Sequence, residues 1–159
     1  NKDDKDIRRF LLENTKLEAV VSMPAGVFQP YAGVKTSFLI FKRKPSPKLD
    51  EKEQIWFFNM KGDGSSLSAA KKFGPQYKND ISKLLELWGK DQAVAKPFSW
   101  FIKVGDIAKN DYILSANTYN PYSGEEEITH RDPKEILGEI ETDKKKLETV
   151  LSGIKKLLK

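Results

Sequence analysis

The residues that could do chemistry are few, and His130 comes first because it is the only histidine and there is no cysteine. Without thiols, a disulfide scaffold, a thiolate zinc site, an iron-sulfur cluster and a cysteine nucleophile are all excluded. With one imidazole, no multi-histidine metal site can be assembled, and a Ser/His/Asp triad would have to run through His130, which stands beside a helix start and reads as a surface or capping residue. Ser68-Ala69-Ala70-Lys71 and Ser152-Gly153-Ile154-Lys155 both have the S-x-x-K spacing that lets a lysine activate a serine. Two hits in one short chain, with neither S-D-N nor K-T-G beside them, show how cheap the pattern is. Gly62-Asp63-Gly64 lacks the spacing of a phosphate or dinucleotide loop and reads as a turn.

Asn120-Pro121-Tyr122 invites comparison with the Asn-Pro-Pro-aromatic turn of amino-methylating enzymes. In that turn the Asn side chain and a proline carbonyl accept from the target amine while the ring stacks on the base. Here the second proline is missing, the ring comes one residue too early and no buried strand leads into the turn, so it reads as an ordinary Asn/Pro turn. The loop Ala25 to Lys35 is different. In an open α/β sheet, ligands sit outside the carboxyl ends of the strands, and this loop leaves such an end carrying Phe28, Gln29, Tyr31 and Lys35. Flat rings, an amide and a cation suit an unstacked base and a phosphate. The competing reading folds the rings down as a lid on the core.

The elements that must position these groups follow from periodicity. Residues 3 to 14 predict a helix capped by Asp3 or Asp4, with Ile7, Phe10 and Leu11 at i, i+3, i+4, ended by Asn14. Leu17 to Met23 is a β-branched apolar run that suits a strand buried on both faces. Lys35 to Lys42 and Gln54 to Met60 predict two more strands, and the polar, proline-containing link between them predicts that these two pair as a hairpin. A helix from about Asp80 to Trp88 places Ile81, Leu84, Leu85 and Trp88 on one side and stops at Gly89. Phe98 to Val104 predicts a strand, Gly105 to Lys109 a helical turn and Tyr112 to Ser115 a short extended piece.

The last segment has the clearest local signal. Asp132-Pro133-Lys134-Glu135 is a capping box with proline at the first helical position, and Ile136, Ile140, Leu147, Val150, Ile154 and Leu157 recur at three-, four- and seven-residue spacing, widened by Leu137, Leu151 and Leu158. A helix of about 26 residues spans roughly 39 Å at 1.5 Å per residue, longer than a small domain needs. Each Leu or Ile buried is worth roughly 1.5–3 kcal/mol, so an uncovered stripe predicts a partner. Asp143 within it argues against a long uniform coiled coil.

A chain of 159 residues supports one domain with a core plus an appendage. Hydrophobic residues at 38% set against 32% charged predict a folded chain with a wet surface. The net charge of +5 permits contact with a polyanion without requiring it. Its positives gather in Lys42-Arg43-Lys44, Lys71-Lys72, Lys144-Lys145-Lys146 and Lys155-Lys156 and its acids in Asp3-Asp4 and Glu125-Glu126-Glu127, which taken singly read as solvated faces. No apolar run approaches the roughly 18 residues needed to cross a bilayer, and NKDDKD is the opposite of a signal peptide, so the expectation is a soluble cytoplasmic protein with no membrane contact.

The run LEAVVSMPAGVFQPYAGVKTSFLIFKR, residues 17 to 43, resembles closely the corresponding stretch of modification (M) subunits of type I restriction-modification systems, which are adenine-N6 DNA methyltransferases. The resemblance continues through RRFLLEN before it and EQIWFFNMKGDGSSL after it, and YILSANTYNP with DPKEILGEI is similar to the family's C-terminal region; it is weak from about 71 to 104. The family's S-adenosylmethionine glycine motif and its Asn-Pro-Pro-Phe motif lie upstream of the equivalent of Asn1, and neither occurs here. The resemblance therefore implies the C-terminal portion of a Rossmann-like methyltransferase sheet: an α/β helix-strand unit plus an antiparallel hairpin, then a helical region and a long C-terminal helix. It divides the chain into 1–70, the end of the sheet domain; 71–131, a mixed helical and irregular connection; and 132–159, a partner-binding helix.

What the resemblance implies for function is a fragment without chemistry of its own. The parent transfers a methyl group from S-adenosylmethionine to adenine N6 in flipped-out DNA, while this chain, inactive alone and expected to hold no cofactor or metal, gives scaffold and contacts. Phe28, Gln29, Tyr31 and Lys35 would border the target base. Ile136, Ile140, Leu147, Leu151, Ile154 and Leu158 would dock on the specificity (S) subunit, with a restriction (R) subunit joining. The same stripe leaves self-association of the chain open. The rival reading is a self-contained small basic nucleic-acid-binding module.

Overall fold

Ala19, Val20 and Val21 are all fully buried, and so are Ile55, Trp56, Phe57 and Phe58. Two consecutive-apolar runs of this kind can satisfy both faces only if layers cover the sheet on both sides. The computed structural model, which describes residues 2–123 and 133–157, shows that arrangement. Its elements are α1 (Lys2–Asn14), β1 (Thr15–Ser22), β2 (Ser37–Arg43), β3 (Gln54–Asn59), α2 (Ile81–Gly89), β4 (Ser99–Lys103), α3 (Val104–Lys109), α4 (Ala116–Tyr119) and α5 (Pro133–Leu157). The strands form one sheet in the order β2-β1-β3-β4. β1 and β3 are parallel, while β2 on β1 and β4 on β3 are antiparallel.

The order corrects the predicted hairpin. β2 and β3 run in opposite directions, as hairpin strands would, but β1 lies between them. The reason is burial: β1 and β3 are apolar on both faces and take the central places, whereas β2 has only half-buried and exposed residues, which suits an edge. The link from 44 to 53 therefore crosses the end of β1. The N–H groups of Lys44 and Lys48 donate to the carbonyls of Asn14 and Glu13 at 3.0 and 2.9 Å, pinning the link to the end of α1. β4 falls within the strand predicted over Phe98 to Val104 and completes the same sheet.

Alternation divides the core. Val20, Ile55, Phe57 and Trp100 meet Leu12 of α1, Ile107 of α3 and Ala116 of α4 on one face. Ala19, Val21, Trp56 and Phe58 meet Leu87 of α2 on the other. Leu17 joins Val20, three residues away, because the register slips between Leu17 and Ala19. Phe57 lies between Trp100, nearly parallel at 6.2 Å, and Tyr119, tilted at 5.6 Å.

The helices bury part of the stripe their spacing selected, with Leu84 and Trp88 of α2 packed on the core and Leu11 of α1 half-buried, but the most buried residue of each lies elsewhere. On α1, Leu12 is buried while Ile7 and Phe10 are exposed; on α2, Leu87 is buried while Ile81 and Leu85 are exposed. Tyr112 to Ser115 forms no ladder. Asp111 and Tyr112 have left-handed backbone, φ 53° and 55°, and the Arg8 guanidinium donates to both of their carbonyls, at 3.2 and 2.9 Å.

The chain divides into two units, Asn1–Gly124 and Glu125–Lys159. On α5, Leu137, Ile140, Leu147, Val150 and Leu151 are exposed. Ile136 and Ile154 lie on the same helix, and Leu158, Asp132 and His130 lie outside the described residues. Among the described residues no helix is long and apolar enough to cross a membrane.

Replacing Phe57 by Ala removes a fully buried ring from between two others, so denaturant unfolding should show a loss of about 3–5 kcal/mol with the secondary structure retained. A loss under about 1 kcal/mol would mean that this face of β3 is not the core.

Candidate functional site

β1 ends at Ser22 and β3 at Asn59, so the parallel pair opens its carboxyl ends on the same side, the usual place for a ligand in an open α/β sheet. Both are buried polar residues at the ends of apolar strands. Beyond them the chain forms a cleft of about 500 Å³ lined by Arg8, Ser22, Lys35, Ser37, Ile113, Leu114, Ser115 and Asn117. The Lys35 ammonium donates to the amide oxygens of Asn117 at 2.8 Å and Asn59 at 3.4 Å, joining the loop after β1 to α4 and to the end of β3. Burial lowers the pKa of Lys35, and the nearby charge of Lys61 adds to that lowering.

Lys35 reaches the cleft because the β1–β2 ladder continues past both strands: the Met23 N–H donates to the Thr36 carbonyl at 2.9 Å. The intervening loop is a tight turn in which the N–H groups of Tyr31 and Ala32 both donate to the Phe28 carbonyl, at 2.8 and 3.0 Å. Tyr31 is 94% exposed and Phe28 46%. Their rings are available from solvent and do not form a lid. The Gln29 side chain is folded back on Gly33, where a Cβ would stand 2.8 Å from its Nε2. Of the four residues singled out from the sequence, Lys35 lines the cleft, and Phe28, Gln29 and Tyr31 stand outside its lining.

A second loop braces this one. Gly26 has φ +90°, and a Cβ there would stand 2.3 Å from the Leu67 carbonyl oxygen, a contact only glycine permits. Leu67 itself has φ 51°. Its loop is held by Asp63, whose carboxylate accepts the Ser65 N–H at 3.0 Å and hydroxyl at 2.7 Å and pairs with Lys71 at 3.2 Å. Burial pushes the Asp63 carboxyl up, but the Ser65 hydrogen bonds and the Lys71 ammonium together hold it below its ordinary value of 3.8. The Gly62-Asp63-Gly64 turn is fixed to α2 through the Lys61 N–H, which donates to the buried Asp80 carboxylate at 2.7 Å.

Tyr122 of the Asn-Pro-Tyr turn is buried edge-on against Trp100, and its N–H donates to the Asn120 side chain at 2.9 Å, so the motif is a core-anchored turn with no ring offered to a base. Among the described residues, no group of three or more acidic or histidine side chains could hold a metal. Arg8, Ser22, Asn59, Ser115 and Asn117 were not singled out from the sequence. Ser22 and Asn59 had a readable signal, the first polar residue after an apolar strand. Arg8 and Asn117 had none, because they arrive by tertiary packing.

The family model described as N-6 DNA Methylase matches residues 1–128. The chain belongs to that family. It is 27% identical over 161 residues to the type I restriction enzyme EcoEI methylase subunit of Escherichia coli, covering 96% of this chain and 30% of that protein. It is 24% identical over 158 residues to the type I restriction enzyme MjaVII methylase subunit of Methanocaldococcus jannaschii, covering 98% of this chain and 27% of that one. The chain thus spans under a third of the length of these curated relatives. Its fold matches a solved chain of a type I R-M system, described for its complex assembly and conformational transition, at a TM-score of 0.55 and 24% identity over 97% of this chain and 32% of that one.

Two outcomes are expected of this N-6 DNA methylase chain. Gly26→Ala should destabilise by more than about 1 kcal/mol in denaturant unfolding, since both φ and the Leu67 carbonyl oppose a side chain. The depressed Asp63 carboxyl contributes stability that is fully present above its unfolded pKa and lost as pH falls through its folded one. Asp63→Asn should therefore flatten the fall in melting temperature below about pH 4. Parallel wild-type and variant curves there would remove Asp63 from the account.

Proposed function

We propose that this chain is the C-terminal part of the methylase subunit of a type I restriction-modification complex, and that the parent transfers a methyl group from S-adenosylmethionine to adenine N6 in DNA. Family membership and two relatives matched along nearly the whole chain support the class. The observation that supports the division of labour is the cleft at the carboxyl ends of β1 and β3 beside a loop with solvent-facing rings. Phe28 and Tyr31 offer flat surfaces to a base taken out of the duplex, Gln29 borders them, and Lys35 joins that loop to the cleft. A duplex buries its bases, so an enzyme acting on adenine N6 needs such a platform next to its reactive groups.

The cleft does not fit the cofactor. Its lining has cations, hydroxyls and an amide but no carboxylate to take ribose hydroxyls, so S-adenosylmethionine is not assigned to residues of this chain and no step is derived through it. The chain supplies scaffold, base platform and docking surface, in a cytoplasmic setting. The sheet also offers continuation: β2 is an edge strand with Phe38 and Phe41 exposed, and α1 exposes Ile7 and Phe10. Apolar groups on an open edge and on the adjoining helix are costly in water, which supports reading 1–70 as the closing part of a larger Rossmann-like sheet.

The stripe on α5, with Ile136, Ile140, Leu147, Leu151, Ile154 and Leu158, is read as the dock for the specificity subunit, which brings DNA sequence recognition; the restriction subunit joins that assembly. Of the connecting region 71–131, the part up to residue 123 gives the fourth strand and short helices, of which α4 supplies Asn117 to the cleft. The alternative of an independent basic module is weakened by the pairing of cluster lysines with acids: Lys42 with Glu18, Lys44 with Glu53, Lys71 with Asp63 and Lys146 with Asp143.

Two measurements test this. Methyl transfer to DNA should be zero with the 159 residues alone and present with the complete gene product; turnover by the short chain overturns the division of labour. In the complete product, Leu147→Asp with Leu151→Asp should abolish co-purification with the specificity subunit, and unchanged assembly overturns the docking role.

A further inference from the structure

Arg8, Ser22, Lys35, Ser37, Ser115 and Asn117 form a binding surface of one character. Two cationic side chains and four groups able to donate hydrogen bonds face a cleft whose lining contains no carboxylate. Elsewhere the cationic side chains of this chain are commonly matched with acids. Lys5 pairs with Asp111, Arg9 with Glu13, Lys42 with Glu18 and Lys44 with Glu53. At the cleft the rule changes. Lys35 is held by two neutral amide oxygens, which orient its ammonium and use two of its three N–H groups without cancelling its charge. Arg8 is held by two backbone carbonyls, which likewise fix its guanidinium, and the Asp111 carboxylate, which feels its charge, is hydrogen-bonded to Lys5.

We propose that this cleft seats a phosphodiester group of a nucleic-acid strand, with Lys35 and Arg8 as its cationic contacts and Ser37, Ser115 and Asn117 as hydrogen-bond donors. The proposal deepens, and rests on, the reading of the Phe28–Tyr31 loop as a base platform. A charged oxygen cluster is what such a donor set recognises, since charge-assisted hydrogen bonds are about twice as strong as neutral ones. A strand is favoured over a free ion by continuity along the chain: Lys35 stands four residues after the solvent-facing Tyr31, so one loop presents a stacking ring and a phosphate contact in succession. The depressed pKa of Lys35, from burial and then from Lys61, agrees: the site holds a cation at a cost that an incoming anion relieves.

The number of phosphates neutralised is read from the salt dependence of binding, so the test measures slopes. A fluorescein-labelled single-stranded oligodeoxynucleotide is titrated with the complete gene product by anisotropy over a range of sodium chloride. Lys35→Met should lower the slope of log affinity against log salt by about 0.7, the value for one contact to a single strand. Lys103→Gln is the control, because Lys103 pairs with Gln54 at the opposite end of β3 and should leave the slope unchanged. An unchanged slope for Lys35→Met, or an equal fall for Lys103→Gln, overturns the seat. Tyr31→Ala separates the two readings: it should weaken binding at every salt concentration while leaving the slope alone. If Tyr31→Ala has no effect while Lys35→Met flattens the slope, the seat stands and the base platform falls. Inorganic phosphate addresses the other source. If it raises the melting temperature of the wild type but not of Lys35→Met, and Lys35→Met leaves the oligonucleotide slope unchanged, the cleft takes free phosphate and the strand assignment is overturned.

Discussion

The structure depends on the parallel pairing of β1 with β3. Both strands are apolar on successive residues, so neither can sit at an edge or face water, and each needs a neighbour on both sides and helices above and below. From this follow the central position of the pair, the relegation of the more polar β2 to an edge, and the placing of α1, α3 and α4 against one face with α2 against the other. It also follows that the carboxyl ends of two parallel strands open at one place. A sheet of successive hairpins would have put β2 between β1 and β3 and separated Ser22 from Asn59 by a full strand.

Around that place the chain uses neutral acceptors to fix cations. Asn59 and Asn117 hold Lys35, and the carbonyls of Asp111 and Tyr112 hold Arg8. The left-handed backbone at Asp111 and Tyr112 turns both carbonyls toward α1. The neighbouring acids are occupied elsewhere: the Asp111 carboxylate takes Lys5, Asp63 takes Lys71 and Ser65, and Asp80 takes the Lys61 N–H. The cleft thus keeps its positive character in a chain whose net charge is only +5.

The aromatic loop is set by a steric device and not by burial. Its rings stay in solvent, and its shape comes from the double hydrogen bond onto the Phe28 carbonyl and from Gly26 lying against Leu67. A loop positioned by its backbone can offer its side chains to a partner without losing its conformation, the property a base platform needs. The same logic explains Tyr122, whose buried ring serves the core and not a ligand.

Much of the fold was legible in the sequence because it rests on local regularities. The apolar runs at 17–23 and 54–60, the helix before the first strand and the stop at Gly89 depend on neighbours in the chain. So did the loop residues Phe28, Gln29, Tyr31 and Lys35 as a group of rings, amide and cation following a strand end. What sequence could not supply was pairing across distance. It ranked the hairpin above the central β1 because adjacency is the default when strands follow one another, and the burial that decides otherwise is a property of the whole sheet. It selected Ile7 and Phe10 on α1 where packing buries Leu12 and aims Arg8 at the Tyr112 carbonyl, since spacing identifies a stripe but not the surface it meets. Asn117, more than eighty positions from Lys35, became its closest partner only through folding. Residue order by itself determined which segments would be strands and helices and which family they came from. The tertiary structure decided which strand stood in the middle, and hence which distant cations and amides share a cleft, because hydrophobic burial is satisfied by the assembled sheet and not by any segment of it.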